Sequence, residues 1–321
     1  IAVSPDGMTA VAINNHSHNA TVFELGGRSI RDTVAVGNRP GGVAISPDGR
    51  KLAVEVTRNG RSDIWTKRLD RPTAPLQRLT FEREGVIRPA WMPDSETVLF
   101  MATEEETQEA FSKPWDGTGG VVRVISAEQA GGGDLINEVI ASADGEWLVY
   151  RVGGGANNRA IFGIRLGGDS VPVPLVVTQY DEHSPALSPD DRWLAYVSDE
   201  SGQAEVYIRP FPDVGGGLWL ISTGGGREPA WSADGTELYF RNGRGEMVAA
   251  AIGVEEDQVS VRSLTPLFPT AGYERDDVHP TYAVDPTGSG RFLMIKRLGD
   301  LFGRIVLVQN LERELPEPEG N

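Results

Sequence analysis

The sequence predicts an all-β chain folded as a single β-propeller of seven four-stranded blades. Three observations carry that expectation. One turn phrase returns at near-regular spacing, each copy is flanked by short apolar runs of strand character, and the composition is that of a chain built of turns, with 39 glycines and 21 prolines. The phrase is Ser-Pro-Asp-Gly. It stands intact at residues 4–7 and 46–49, and in altered form at 92–95, 142–145, 188–191, 232–235 and 285–288. Its third residue falls at 6, 48, 94, 144, 190, 234 and 287, so the intervals are 42, 46, 50, 46, 44 and 53 residues. Intervals of this size mark a repeat architecture.

Pro after Ser presets φ for the second residue of a turn, Asp bonds its own backbone, and Gly accepts the left-handed position. Val43-Ala44-Ile45 before the second copy and residues 52–56 after it are strand-like, as are Ala230-Trp231 and Leu238-Tyr239-Phe240 around the sixth. Each copy is therefore a hairpin turn between the first and second strands of a repeat. Seven aspartates at one turn position are read as seven turns, not seven metal sites.

Two further runs complete most repeats. In repeat one the strands are 1–3, 8–13, 20–25 and 30–36; in repeat two, 63–67 and 76–80 follow the hairpin. Repeat three supplies 86–91, 98–102, 111–115 and 121–125, and its connection at 104–109 has helical composition, read as an exposed acidic loop or a single helical turn. Repeats four, five and six continue with 147–150, 161–166 and 175–178; with 193–197, 206–208 and 218–221; and with 238–241, 247–252 and 259–268. Repeat seven offers 292–295 and 304–308 and no clear fourth strand, so closure is expected through a three-stranded last blade or residues before Ile1; six blades with an irregular closure is the alternative. The propeller is assigned to 1–311, and 312–321 reads as a charged, proline-broken tail. A four-stranded sheet buries its faces only by stacking on its neighbours, and the seven tryptophans (65, 91, 115, 147, 193, 219 and 231) are read as packing between blades.

A net charge of −16 repels phosphate backbones and anionic lipid, which argues against nucleic-acid or membrane-surface partners. The absence of cysteine excludes disulfides, thiolate-bound zinc and thiol catalysis. No apolar run has the length of a membrane helix. The chain opens at Ile1 inside a strand, without initiator Met or signal peptide, and is expected to be processed or partial.

The phrases Arg78-Leu79-Thr80, Arg88-Pro89-Ala90-Trp91 and the run 227–235 (Arg-Glu-Pro-Ala-Trp-Ser-Ala-Asp-Gly) resemble the TolB-type, WD-repeat-like propeller. That family includes periplasmic TolB, the propeller of prolyl oligopeptidases and propellers appended to bacterial membrane serine/threonine kinases. Residues 221–231 and Arg291-Phe292-Leu293-Met294-Ile295 are similar to the kinase-appended version. The resemblance implies the fold and an extracytoplasmic, periplasmic location. It implies no catalytic residue, because the family's catalytic machinery lies outside the propeller and neither a kinase motif nor a Gly-x-Ser-x-Gly elbow occurs here.

The starts of the first strands ring one mouth of a propeller's central channel. Arg39, Arg88, Asn137, Glu138, His183, Arg227, Glu228 and His279 map there, and His16 and His18 fall on a loop of the same face. All four histidines thus map to one face, read chiefly as solvated loop residues and secondarily as a metal or acid–base site of a propeller lyase or hydrolase. The glycine runs 131–133, 153–155, 215–217 and 224–226 precede no helix and carry no P-loop lysine, so they read as turns rather than phosphate cradles. No cofactor is expected. The function expected is a non-catalytic accessory module that docks on a partner protein or membrane-bound complex, with a propeller enzyme or a kinase sensor domain as the alternatives.

Overall fold

The structure, a computed structural model, describes residues 1–308 apart from 15–17, 28, 37–40, 72, 82, 105, 131–134, 154–158, 169–170, 256–257, 277–278, 289 and 299–301. The tail at 312–321 lies outside the described residues. Seven antiparallel sheets follow one another along the chain, each built of consecutive strands; six have four strands, and the seventh, at Tyr282–Val284, Phe292–Leu298 and Phe302–Val308, has three among the described residues. This is a seven-bladed β-propeller.

The first strands of the blades are Ala2–Val3, Val43–Ile45, Glu84–Trp91, Ile136–Ala141, His183–Leu187, Gly226–Trp231 and Tyr282–Val284. They touch one another from blade five through six, seven, one, two and three to four. Between every pair of neighbours lies one apolar cluster. Blades five and six share Trp193, Val197 and Ile208 with Leu238, Phe240 and Val248. Blades three and four share Leu99, Met101 and Ile125 with Leu148, Tyr150 and Ile164. The ring closes on Ala10 and Leu25 of blade one against Leu293 of blade seven. Each fully buried Leu or Phe contributes about 1.5–3 kcal/mol, so the junctions, not the isolated sheets, hold the ring.

Two tryptophans at one repeat position also bond across junctions. Trp91 Nε1 donates to the Ala44 carbonyl at 3.2 Å and Trp231 Nε1 to the Ala186 carbonyl at 3.1 Å. Both sit at the end of a first strand, and each reaches the same place on the preceding blade.

The turn phrase behaves as its residues require. The buried Ser of five copies donates to the Asp two residues on, at 2.5–2.7 Å. The same hydroxyl accepts from the backbone N–H five residues on, at 2.9–3.0 Å. Where Gly is replaced at the left-handed position, the replacement links blades: Ser95 (φ 59°) accepts from Asp48 N at 3.0 Å, and Asp191 (φ 55°) accepts from Ala143 N and Asp144 N, each at 2.9 Å. A non-glycine residue in this conformation costs about 1–2 kcal/mol, which these bonds offset. Asp191→Ala keeps the strain and loses both bonds, and will lower stability by about 1–3 kcal/mol in urea unfolding. Asp191→Gly relieves the strain and will lower it less; equal losses would show that the strain contributes nothing, and no loss in Asp191→Ala would show the same of the carboxylate.

One local expectation is corrected. Residues 104 and 107–109 belong to strands, not to an acidic loop or helical turn: Thr97–Glu104 and Thr107–Pro114 run almost to the tip, paired as far as Glu104↔Thr107. The pairs Phe100↔Phe111 and Met101↔Ala110 bury their side chains, and that burial overrides the helical preference of the glutamates at the tip. The only helical element among the described residues is the short 3₁₀ turn Val214–Gly216.

Candidate functional site

The residue four positions before each turn phrase marks one level of the ring: Gly42, Arg88, Glu138, Ser184, Glu228 and Thr281. In blades three, five and six a β-bulge falls here, shifting the register between the first and second strands. Arg88, Ser184 and Glu228 each precede proline and hold φ of 53–55°. Blade four carries its bulge one residue earlier, beside Asn137. A bulge re-aims a side chain and breaks the alternation that would otherwise place it. Here the same device is repeated on three blades to set charged or polar groups at the channel wall.

Neighbouring positions meet directly. A Cβ on Gly42 would stand 3.0 Å from Arg88 Cα, so that step is closed to larger residues without movement. Arg88 Nη1 donates to the Asn137 carbonyl of blade four. Thr281 of blade seven donates to Glu228 Oε2 of blade six through its N–H (2.7 Å) and its hydroxyl (2.9 Å). The second strands add Glu55, Arg151 and Arg241, all nearly inaccessible. Arg241 Nε lies 3.2 Å from Glu228 Oε1, and Arg151 Nε lies 3.5 Å from Glu138 Oε2.

His279 crosses the ring. It precedes the first strand of blade seven, yet its Nε2 meets Arg88 Nη1 of blade three and Arg151 Nη2 of blade four, the latter at 3.4 Å. Asp276 Oδ1 lies 3.2 Å from its Nδ1 and accepts from its backbone N–H at 3.0 Å. The arrangement fits a neutral ring that donates from Nδ1 and accepts at Nε2. Burial, followed by the Arg88 charge, lowers its pKa to about 4 against the pull of Asp276.

His183, on the first strand of blade five, is 3% exposed and bonds Ser184 Oγ through Nδ1 at 2.8 Å. Burial and the charges of Arg159, Arg227 and Arg151 lower it to about 3. The expectation of solvated loop histidines is therefore corrected for His183, which is buried, and for His279, whose side chain is 24% exposed but is engaged by Arg88, Arg151 and Asp276. His18 is exposed at a turn of blade one, away from any of these contacts. Arg227 pairs across strands with Arg241. His16 and Arg39 lie outside the described residues.

Two carboxyls are displaced toward neutrality. Burial pushes Glu138 up to about 7 although Arg151 and Arg88 pull it down. Burial likewise lifts Glu182 to about 7; its Oε1 accepts from Thr178 Oγ1, while Oε2 is buried without a hydrogen-bond partner among the described residues. Burial also raises Glu55 and Glu228 above the ordinary carboxylate range.

Of the residues mapped from the sequence to one mouth, the structure brings Arg88, Asn137, Glu138 and His279 together through Arg151 and pairs Glu228 with Arg241. The sequence reading misses Glu55, Arg151, Arg241 and Asp276. Glu55 and Arg151 carried a signal: each is a charge between apolar neighbours, in Val54-Glu55-Val56 and Tyr150-Arg151-Val152. As chemistry, the set is a mutually neutralised, water-poor ring. No group of three or more His, Cys, Asp or Glu among the described residues is arranged to hold a metal. The nitrogen of His279 that would ligate one faces two guanidiniums, which repel a cation.

The fold and this ring define the class, a seven-bladed propeller with a charge-paired channel wall. Solved structures with this fold come from unlike proteins. The hydrazine synthase of Kuenenia stuttgartiensis is 17% identical at TM-score 0.70, over 97% of this chain and 94% of that one. An oligogalacturonate lyase in complex with manganese is 12% identical at TM-score 0.70, over 95% and 86%. TolB from Acinetobacter baumannii is 13% identical at TM-score 0.56, over 94% and 76%. Likeness at these identities shows the TolB-type propeller fold alone. No protein-family model matches the chain, and no curated protein matches it. Among the described residues no helix is long and apolar enough to cross a membrane.

Proposed function

We propose that this propeller is a non-catalytic interaction module of an extracytoplasmic assembly, docking on a partner protein through the face that carries the channel mouth. The observation that carries this reading is the state of the ring. Arg88, Arg151 and Arg241 bond to Asn137, Glu138, Glu228 and His279. An acid–base catalyst needs a titrating group in reach of a substrate proton. Here Arg88, Arg151, Arg241, Glu138, Glu228 and His279 are engaged with one another and serve as a rigid hub. Specificity then falls to the loops around the mouth, which do not repeat, while the opposite face carries the repeated turns. The propeller shared with TolB supports the periplasmic setting.

The test is hydrogen exchange on the chain purified with its partner from native membranes by gentle extraction. The loops joining second to third strands and fourth to first strands will gain protection, and the Ser-Pro-Asp-Gly turns will not. Elution as a lone chain, or protection confined to the turns, overturns the proposal.

A further inference from the structure

Blade two ends its central hairpin in a pair of arginines. Strands Lys51–Arg58 and Arg61–Arg68 are joined by Asn59-Gly60, at φ 51° and 78°, the two-residue turn that Asn-Gly favours. The register sets Arg58 directly opposite Arg61. Strand alternation puts Val56, Asp63 and Trp65 on the same face, and Arg78 joins it by pairing with Trp65. These residues line a depression of about 450 Å³, within the size range of small-ligand sites.

Like charges directly opposite one another destabilise a sheet, and the turn itself demands arginine on neither side. The neighbourhood neutralises them only in part. Asp63 is the single carboxylate in the lining, and it accepts from Arg78 Nη2 at 2.7 Å, with Arg61 Nε 3.7 Å away. Arg61 Nη2 donates to the carbonyls of Phe81 (2.6 Å) and Arg83 (3.0 Å), which fixes its guanidinium at the rim. Arg58 stacks over the Trp65 ring at 4.7 Å and meets no carboxylate among the described residues. Three guanidiniums against one carboxylate thus stand together on a chain of net charge −16.

We infer that this depression binds a small organic carboxylate, held between Arg58 and Arg61 and backed by the Trp65 indole. The guanidinium fork matches the planar carboxylate in two parallel bonds, and the indole and Val56 suit a carbon skeleton better than a bare tetrahedral anion. Bound anion relieves the repulsion across the hairpin, so affinity and hairpin stability are linked through the same two side chains.

Benzoate, inorganic phosphate and benzylamine titrated separately into the intact chain test this, followed by the Trp65 indole N–H resonance assigned with Trp65→Phe. Benzoate will bind saturably and shift that resonance; benzylamine will not. Arg58→Gln will weaken benzoate about tenfold or more. Arg58→Glu will abolish binding while raising the melting temperature, because it replaces a like-charge pair with an ion pair to Arg61. The inference is overturned by benzoate that does not saturate, by phosphate bound in its place, by unchanged affinity in Arg58→Gln, or by a lower melting temperature in Arg58→Glu.

Discussion

Glu228→Ala will destabilise the propeller by about 3–5 kcal/mol, more than any other single change at the channel wall. Glu228 is 1% exposed; its Oε1 forms an ion pair with Arg241 Nε at 3.2 Å, and its Oε2 accepts from the N–H and the hydroxyl of Thr281. Removing it leaves Arg241, itself buried, charged and unpaired, and a guanidinium cannot shed its proton to escape. It also removes the two bonds that Thr281 of blade seven makes to blade six through this carboxylate. Arg151→Ala offers the contrast. It strands Glu138, but burial already holds that carboxyl near 7, so it takes up a proton and much of the penalty vanishes. Chemical denaturation at pH 7 will therefore rank Glu228→Ala well below Arg151→Ala. The double variant Glu228→Leu with Arg241→Met will recover most of the loss, since an apolar pair of similar volume replaces the ions at little cost. A double variant as unstable as Glu228→Ala would show that the pair's charge is not what matters.

The ring of blades was legible because its signal is local. Each Ser-Pro-Asp-Gly turn is complete within a few residues, and its spacing counts blades without knowledge of how they meet. The level of the channel wall was legible for the same reason: Arg88, Glu138 and Glu228 lie a fixed distance before the turn. What joins them was not. Arg151 and Arg241 were passed over as strand residues because their partners come from another strand or blade, and only the register shows that the charges meet. His279 was assigned to the right face yet read as solvated, since nothing in its neighbours in sequence tells that it reaches across to Arg88 and Arg151. The hairpin at 104–109 failed in the opposite way, where local composition spoke for helix and the pairing of Phe100 with Phe111 prevailed. Closure lies between these cases. The missing fourth run of repeat seven agrees with the three strands that blade seven has among the described residues, whereas the packing of Leu293 on Ala10 and Leu25 belongs to the ring.

Stability between pH 5 and 6 will respond in opposite directions to the two kinds of buried group. Glu138 and Glu182 keep their protons up to about 7, whereas an unfolded chain loses them near the ordinary 4.5; over that window their contribution falls as pH rises. His183 and His279 stay neutral down to about 3 and 4, whereas the unfolded chain takes up protons near 6.5; their contribution falls as pH drops. Between 4.5 and 6.5 the two pairs oppose one another, at about 1.4 kcal/mol per pH unit for each group at most. Glu138→Gln with Glu182→Gln removes the carboxyl pair, and this variant will gain stability from pH 5 to 6 relative to the native chain. His183→Gln with His279→Gln will lose stability over the same step. The aspartates of the turns, held below the ordinary 3.8 by their hydrogen bonds, act only at lower pH and leave this comparison untouched. Urea midpoints at pH 5 and 6 for the three proteins decide the matter. The native chain lying outside the interval set by the two variants would mean that the buried groups do not carry the pH dependence, and that the ring's charges are far better solvated than their burial implies.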